Sequence, residues 1–366
     1  MKFENIIVGP FKHLLEYKES FHVGGPLWPE FQSQTTARHC RAGCPFDTEP
    51  SYELPKTTEN RASIWLGPAC RHFGHQIYDF SGRIIPTLRE SDEEPILIGL
   101  RTGQQSLPPT IAGVLNWYGV NVQRVKIINT PIIYKELYVF PQEEQPLLKP
   151  NKQYLDSLEI ITNTNYPNIK HTEEILYISR SKMHAHMAGE SYIEDLLKLS
   201  GIKIVYPETL TLKQQLGYYL KAGTLIFSEG SALHGLQLLG RIKANVIVIN
   251  RRPQSNLGLE DFLPDRVNSL NYIDSVKEII SSSKITGLPA LAFGISIIDH
   301  EKVLEELKKY GINLYKHFNY ATYMKVLKKD ISDWVTEEIK APRSKNPGSR
   351  DRLIYQLKKY DLELNS

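Results

Sequence analysis

Residues 224–235, Thr-Leu-Ile-Phe-Ser-Glu-Gly-Ser-Ala-Leu-His-Gly, hold the densest set of groups in this chain that are able to do chemistry. An apolar, β-branched run breaks at Glu229-Gly230 and resumes with Leu233, Leu236 and Leu239 at helical spacing, which predicts strand, tight turn and helix. Such a turn sets free backbone N–H groups and the positive end of a helix dipole at the carboxyl edge of a sheet, where phosphate binds. Glu229, Ser231 and His234 add hydrogen-bonding side chains within the same few residues. A second set lies upstream, where His75, Asp79 and Arg83 recur every four residues and so share one face of a helix. That row reads equally as a solvated face or as a His held by a carboxylate and able to take a proton at a cleft.

Other chemistries fit the turn poorly. A nucleophile elbow needs glycine where Glu229 and Leu233 stand. No Gly-Lys-Ser/Thr phosphate loop is present, and Gly230 and Gly235 fall one short of a dinucleotide fingerprint. An ordinary strand-to-helix turn with Ser231 as N-cap stays open.

The surrounding elements must position these groups. A chain of 366 residues exceeds one typical core and predicts two domains. With 41% hydrophobic and 23% charged residues it has the make-up of a globular protein. A net charge of +3 does not point to nucleic acid as the partner. No run nears the ~20 apolar residues of a membrane span, and Met1-Lys-Phe-Glu-Asn-Ile-Ile-Val lacks a signal-peptide layout. His39, Cys40 and Cys44 have no second Cys/His pair at zinc spacing, so Cys40, Cys44 and Cys70 read as free thiols and no metal site is expected. His184 and His186 read as loop residues beside Lys182. A cytoplasmic chain follows as the expectation.

Residues 1–60 predict an irregular lead-in with a short strand at 6–8, followed by a strand at 64–66. One amphipathic helix is expected over 71–88, with Phe73, Ile77, Phe80, Ile84 and Leu88 on its apolar face. Strand, helix and strands then alternate to residue 140, and the three prolines of 141–150 suggest a hinge. From 175 to 249 four short apolar strands alternate with three helices, one opened by a Thr211/Gln214 capping box. That pattern predicts a parallel, helix-covered α/β sheet. Beyond residue 290 the chain turns helical, and residues 340–352 form a basic, turn-rich stretch expected by default to be a solvated tail, with contact to an anionic membrane surface or a phosphorylated acceptor as the alternative. The expected domains are 1–150, 151–290 and a helical tail over 291–366.

Several segments together resemble glycosyltransferase family 61, a group first known as a conserved domain of unknown function that includes bacterial capsule-type enzymes. Residues 71–83, Arg-His-Phe-Gly-His-Gln-Ile-Tyr-Asp-Phe-Ser-Gly-Arg, look like its aromatic–x–His segment followed by an acid and an Arg. Ile178-Ser-Arg180 with Glu190, the run 207–216 containing Gln215, Ala222 and Glu229-Gly-Ser-Ala-Leu-His234 continue the order over roughly residues 60 to 280. The chain departs from the family where Gly189-Glu190 replaces Asn-Glu, Asp79 replaces Glu, and Ser-Glu-Gly-Ser replaces Gly-x-His-Gly.

The resemblance implies a GT-B-like enzyme with two facing Rossmann-like domains, the first on the acceptor side and the second holding the donor. It implies an inverting transfer of a sugar from a nucleotide sugar, such as a UDP-sugar, to a hydroxyl of a surface polysaccharide or glycolipid. Arg180, Glu190, Gln215, Gly230, Ser231, Ala232 and His234 would bind the donor, and Arg83 would lie on the acceptor side. The base would be His75, Asp79 or Glu229. Without an Asp-x-Asp pair, the diphosphate is expected to leave without a bound metal or any cofactor. A different activated phosphate donor, or a non-catalytic module that recognises a nucleotide sugar, are the alternatives.

Overall fold

Short β-branched runs form the strands of two main sheets in the computed structural model, which describes residues 1–14, 22–284, 286–346 and 348–364. The first sheet uses β1 (Lys2–His13), β2 (His22–Pro26), β3 (Ser63–Pro68), β4 (Ile96–Gly99), β5 (Val125–Ile128) and β6 (Ile132–Tyr138). Their order is β2-β1-β6-β3-β4-β5, with the two-residue strand Asp47–Thr48 beyond β2 and Thr58–Glu59 also on β6. Strands β6, β3, β4 and β5 run parallel, whereas β1 pairs antiparallel with both β6 and β2.

Strand β1 is twelve residues long where the sequence suggests three. Asn5 sits at φ 54°, and the buried positions change parity across it, with Phe3 before and Ile6 and Val8 after. The broken period leaves only the middle legible as a strand.

The helix expected over 71–88 is two helices. Helix α1 (Phe73–Phe80) passes through a 3₁₀ turn, Ser81–Arg83, into α2 (Ile84–Glu90). Pro86 has no N–H to return to the carbonyl of Gly82, and Glu143 N–H takes that carbonyl at 3.0 Å instead. A β-carbon on Gly82 would meet the Glu144 carbonyl oxygen at 2.1 Å. The break therefore docks the segment expected as a hinge, where Glu144 is buried in an ion pair with Arg266.

The second sheet contains β7 (Ile175–Ile178), β8 (Lys203–Val205), β9 (Thr224–Ser228), β10 (Asn245–Ile249) and β11 (Ser269–Ile273). All five are parallel, in the order β8-β7-β9-β10-β11. The fifth strand, Ser-Leu-Asn-Tyr-Ile, lacks the apolar run of the others and is not apparent from sequence. Helices α3 (Pro109–Trp117), α4 (Lys152–Asn165), α5 (Glu190–Leu199) and α6 (Leu212–Lys221) connect the strands. The Thr211/Gln214 capping box opens α6.

The described residues of 291–364 form, with the preceding strand at 276–280, a packed layer where a tail was expected. Strands β12 (Val276–Ile280) and β13 (Ile295–Ile298) pair antiparallel, and α7 (His300–Lys309), α8 (Tyr320–Glu338) and α9 (Ser349–Lys358) follow. Leu327, Ile331, Trp334, Leu353 and Leu357 share one buried cluster with Tyr177, Ile226 and Ile247 of the second sheet. Arg343 pairs with buried Glu338, and Arg352 donates to the Ser281 carbonyl at 3.0 Å. Folding thus occupies much of the basic stretch; Pro347 within it lies outside the described residues.

A single apolar cluster joins the two sheets, with Ile77, Leu115 and Trp117 meeting Leu216, Phe227 and Leu233. Trp117 Nε1 donates across it to the Leu238 carbonyl at 2.9 Å. Among the described residues, no helix is long and apolar enough to cross a membrane.

Candidate active site

Strand order in the second sheet reverses between β7 and β9, the first and third strands in sequence. Open parallel sheets bind ligands in the crevice outside the carboxyl ends at such a point. Ser179-Arg180 leaves β7 there, Glu229-Gly230-Ser231 leaves β9, and Asn250-Arg251-Arg252 leaves β10. A cleft of about 970 Å³ opens in front. Arg180, Gln215, Gly230, Ser231 and Ala232 line it from the second half of the chain, with Pro207, Leu210 and Leu212 beside them. Phe73, Pro109, Gly113, Asn116 and Trp117 line it from the first half. The largely apolar wall and the polar end suit a ligand with one flat and one charged part.

Residues 231–238 form a 3₁₀ helix, not an α-helix. The three-residue spacing of Leu233, Leu236 and Leu239 is the 3₁₀ period, and all three are buried. Burying each is worth about 1.5–3 kcal/mol, enough to hold the tighter turn. A helix start leaves its first N–H groups without intrahelical partners, and here those belong to Ser231 and Ala232 at the cleft.

Arg180 is held from behind. Its N–H donates to Glu190 Oε1 at 2.9 Å and its Nε to the Ala185 carbonyl at 2.6 Å, while Nη1 lies over Gly230. Glu190 itself is wholly buried and also accepts from Tyr177 Oη and Met187 N–H. Burial raises its carboxyl above the usual range. It supports the Arg180 backbone and faces no part of the cleft.

Glu229 is equally buried and saturated. Oε2 accepts from the N–H groups of Arg251 and Arg252 at 2.7 and 2.8 Å; Oε1 accepts from Arg252 Nε and Nη2 at 2.8 and 2.6 Å and from Ser255 Oγ at 2.9 Å. Five donors leave no lone pair directed at a substrate. Burial, and then the charges of Arg180 and Arg252, depress the Arg251 guanidinium to about 9. An anion placed among these cations would relieve that crowding.

On α1, whose first residue Phe73 lines the cleft, His75 Nδ1 meets Asp79 Oδ2 at 2.8 Å. The His75 side chain is 40% exposed and Asp79 is fully buried. Arg41 grips the same carboxylate, Nε to Oδ1 at 2.7 Å and Nη2 to Oδ2 at 3.0 Å. Burial pushes the Asp79 carboxyl up, but the hydrogen bonds and charges of His75 and Arg41 outweigh it and hold the group below its ordinary value. His72 caps α1, its ring 4.7 Å from that of His75. Burial first, then His75 and Arg180, bring it down to about 4.

The family model for Glycosyltransferase 61 matches residues 73–256, from the first residue of α1 to just past Arg252. The chain belongs to glycosyltransferase family 61. No curated protein matches it. As a member of that family it is a glycosyltransferase of mixed α/β fold, with a sugar donor and an acceptor as substrates.

Within this family-61 chain, Arg83 and His234, like Glu190 and Glu229, lie away from the cleft. Arg83 is fully buried under α1, where it donates to the Arg38 carbonyl at 3.0 Å, and burial depresses it to about 10. His234 lies behind the cleft wall with Nδ1 2.9 Å from Gln237 Oε1; burial, ahead of weaker charge effects, brings it to about 4. It packs against Gly74, whose added β-carbon would meet its Cδ2 at 2.7 Å. His75 and Asp79 are adjacent to the cleft without lining it. Sequence alone does not single out Arg41, His72, Arg251 or Arg252. The Arg-Arg pair straight after a buried strand was the one available signal; Arg41 carried none. Among the described residues, no three His, Cys, Asp or Glu groups converge as a metal site requires.

Proposed function

We propose that this glycosyltransferase moves a sugar from a nucleotide sugar, a UDP-sugar in the first instance, to a hydroxyl of a growing surface polysaccharide or glycolipid, with inversion. The observation that carries the reading is Arg180 over Gly230, beside the free N–H groups of Ser231 and Ala232 at the strand-order switch. Such donors stabilise a departing diphosphate as negative charge develops on it. The nucleoside would lie along the apolar wall of Phe73, Pro207 and Leu212.

In the proposed reaction, neutral His75 takes the acceptor proton on Nε2 as the acceptor oxygen bonds to the anomeric carbon. The bond from that carbon to the diphosphate oxygen breaks on the opposite face, and its electron pair leaves with the diphosphate. Arg180 and Arg252 supply the countercharge, so a metal is not required in this scheme. The two sheets would be the halves of a GT-B-type enzyme, acceptor side first and donor side second. We place the enzyme in a bacterial cytoplasm, where exposed Lys345 and Arg350 give it a means to touch an anionic membrane face.

A thermal-shift screen against nucleotides and nucleotide sugars, followed by turnover in EDTA, tests this. A donor at 100 times its Kd should stabilise the fold by about 2.7 kcal/mol. Stabilisation by no nucleotide would remove the donor assignment, and activity lost in EDTA and restored by Mn²⁺ would remove the metal-free scheme.

A further inference from the structure

Asp79 is shared between two partners from different parts of the chain. His75 lies one turn away on α1, whereas Arg41 comes from a small hairpin in which Cys40–Arg41 pairs with Cys44–Pro45. That hairpin is pinned in place. The Cys40 N–H donates to Gln142 Oε1 at 2.7 Å, the Ala42 N–H to the Pro146 carbonyl at 2.8 Å, and the Gly43 N–H to Gln145 Oε1 at 3.0 Å. The Arg41 guanidinium rests on the Phe46 ring, 4.6 Å from its centroid. A planar fork meets a carboxylate through two parallel bonds that an ammonium group does not reproduce.

We propose that Arg41 is a positioning residue for the transfer reaction: its fork fixes the Asp79 carboxylate so that His75 donates from Nδ1 and presents Nε2 as the proton acceptor. This rests on the reading of His75 as the base. An ionised carboxylate offers only lone pairs, so the His75 nitrogen facing it carries the proton. Without Arg41 the carboxylate is free to turn, and its whole negative charge falls on His75 and favours the imidazolium.

Charged and titratable groups from every side bear on this pair. His72 and Tyr78 come from α1 and its cap, Arg41 from the hairpin, and His234 from the 3₁₀ helix. His22 of β2 and Cys70 interact with Asp79, and Arg180 and Arg252 act through His72. A substitution at Arg41 leaves all the others in place. The direction therefore follows from the lost positive charge: His75 keeps its proton to higher pH.

The test is an NMR titration of the His75 ring, assigned with H75A, in wild type, R41M and R41K. It is paired with nucleotide affinity and with kcat/KM against pH for a donor found in the screen. R41M should move the His75 midpoint up by about one pH unit. R41K, which keeps the charge and loses the fork, should move it less. The acid limb of kcat/KM should follow, with nucleotide affinity unchanged. An unmoved His75 midpoint in folded R41M overturns the proposal, and R41Q, which also removes the charge, decides the matter should R41M fail to fold. A moved midpoint with an unmoved acid limb supports the positioning by Arg41 and overturns the reading of His75 as the base.

Discussion

The Arg180 guanidinium lies directly over the Cα of Gly230: a β-carbon there would stand 2.4 Å from Nη1 and 3.2 Å from Cζ. Gly230 is extended, with φ 178° and ψ −178°, so any residue could adopt its backbone. The close approach is what favours glycine. Gly230→Ala should displace the guanidinium and weaken nucleotide binding about tenfold, equivalent to one charged hydrogen bond. Thermal stability should stay near wild type. Calorimetric titration with the donor checks this, and unchanged affinity would separate Arg180 from the donor site.

The proposed roles of His75 and Glu229 can be told apart by kinetics. A positioned base contributes ~10²–10⁴ in rate, so His75→Ala should lose turnover on that scale and keep nucleotide affinity. Glu229 holds Arg252 by its side chain and backbone. Glu229→Gln should therefore loosen Arg252 and weaken binding, with the pH profile of turnover unchanged. If Glu229→Gln abolished turnover at full affinity while His75→Ala was nearly silent, the roles would be reversed.

Gly74 is a second close approach. A β-carbon there would meet His234 Nε2 at 3.0 Å and Ser231 Cβ at 3.3 Å, and the Gln237 bond restrains the imidazole. Within a helix Gly→Ala ordinarily gains about 0.5–1 kcal/mol. Overpacking at such a site costs ~1–3 kcal/mol, so Gly74→Ala should be destabilising, and chemical denaturation measures it. A gain in stability would mean that the junction of α1 with the 231–238 helix yields easily.

Stability should fall on mild acidification. Burial holds His22 at about 3 and His234 at about 4, both below the ordinary histidine value. With folded values depressed, the unfolded chain binds more protons, so stability is present above the unfolded value and is lost as pH drops below it. At pH 5 each buried His withdraws about 2 kcal/mol. Melting curves from pH 7 to 5 should show a steady drop in Tm; a flat profile would mean that these imidazoles become charged within the fold.

Local pattern determined much of this protein. The alternation of short apolar strands with capped helices made four of the five strands of the second sheet legible, because β7, β9 and β10 are buried on both faces and need no partner to be recognised. The i, i+4 spacing of His75 and Asp79 made their contact legible for the same local reason. Tertiary structure decided the rest. Glu190, Glu229, Arg83 and His234 carry reactive side chains, yet the surroundings consume them in internal hydrogen bonds, and sequence holds no record of burial. The 71–88 helix breaks because a distant N–H, that of Glu143, takes the carbonyl that Pro86 cannot use. Arg41 reaches Asp79 from 38 positions away, a pairing that exists only once the hairpin is pinned against the sheet. Contacts between neighbours in sequence follow from backbone period; those that place a charge beside a cleft depend on how whole elements pack.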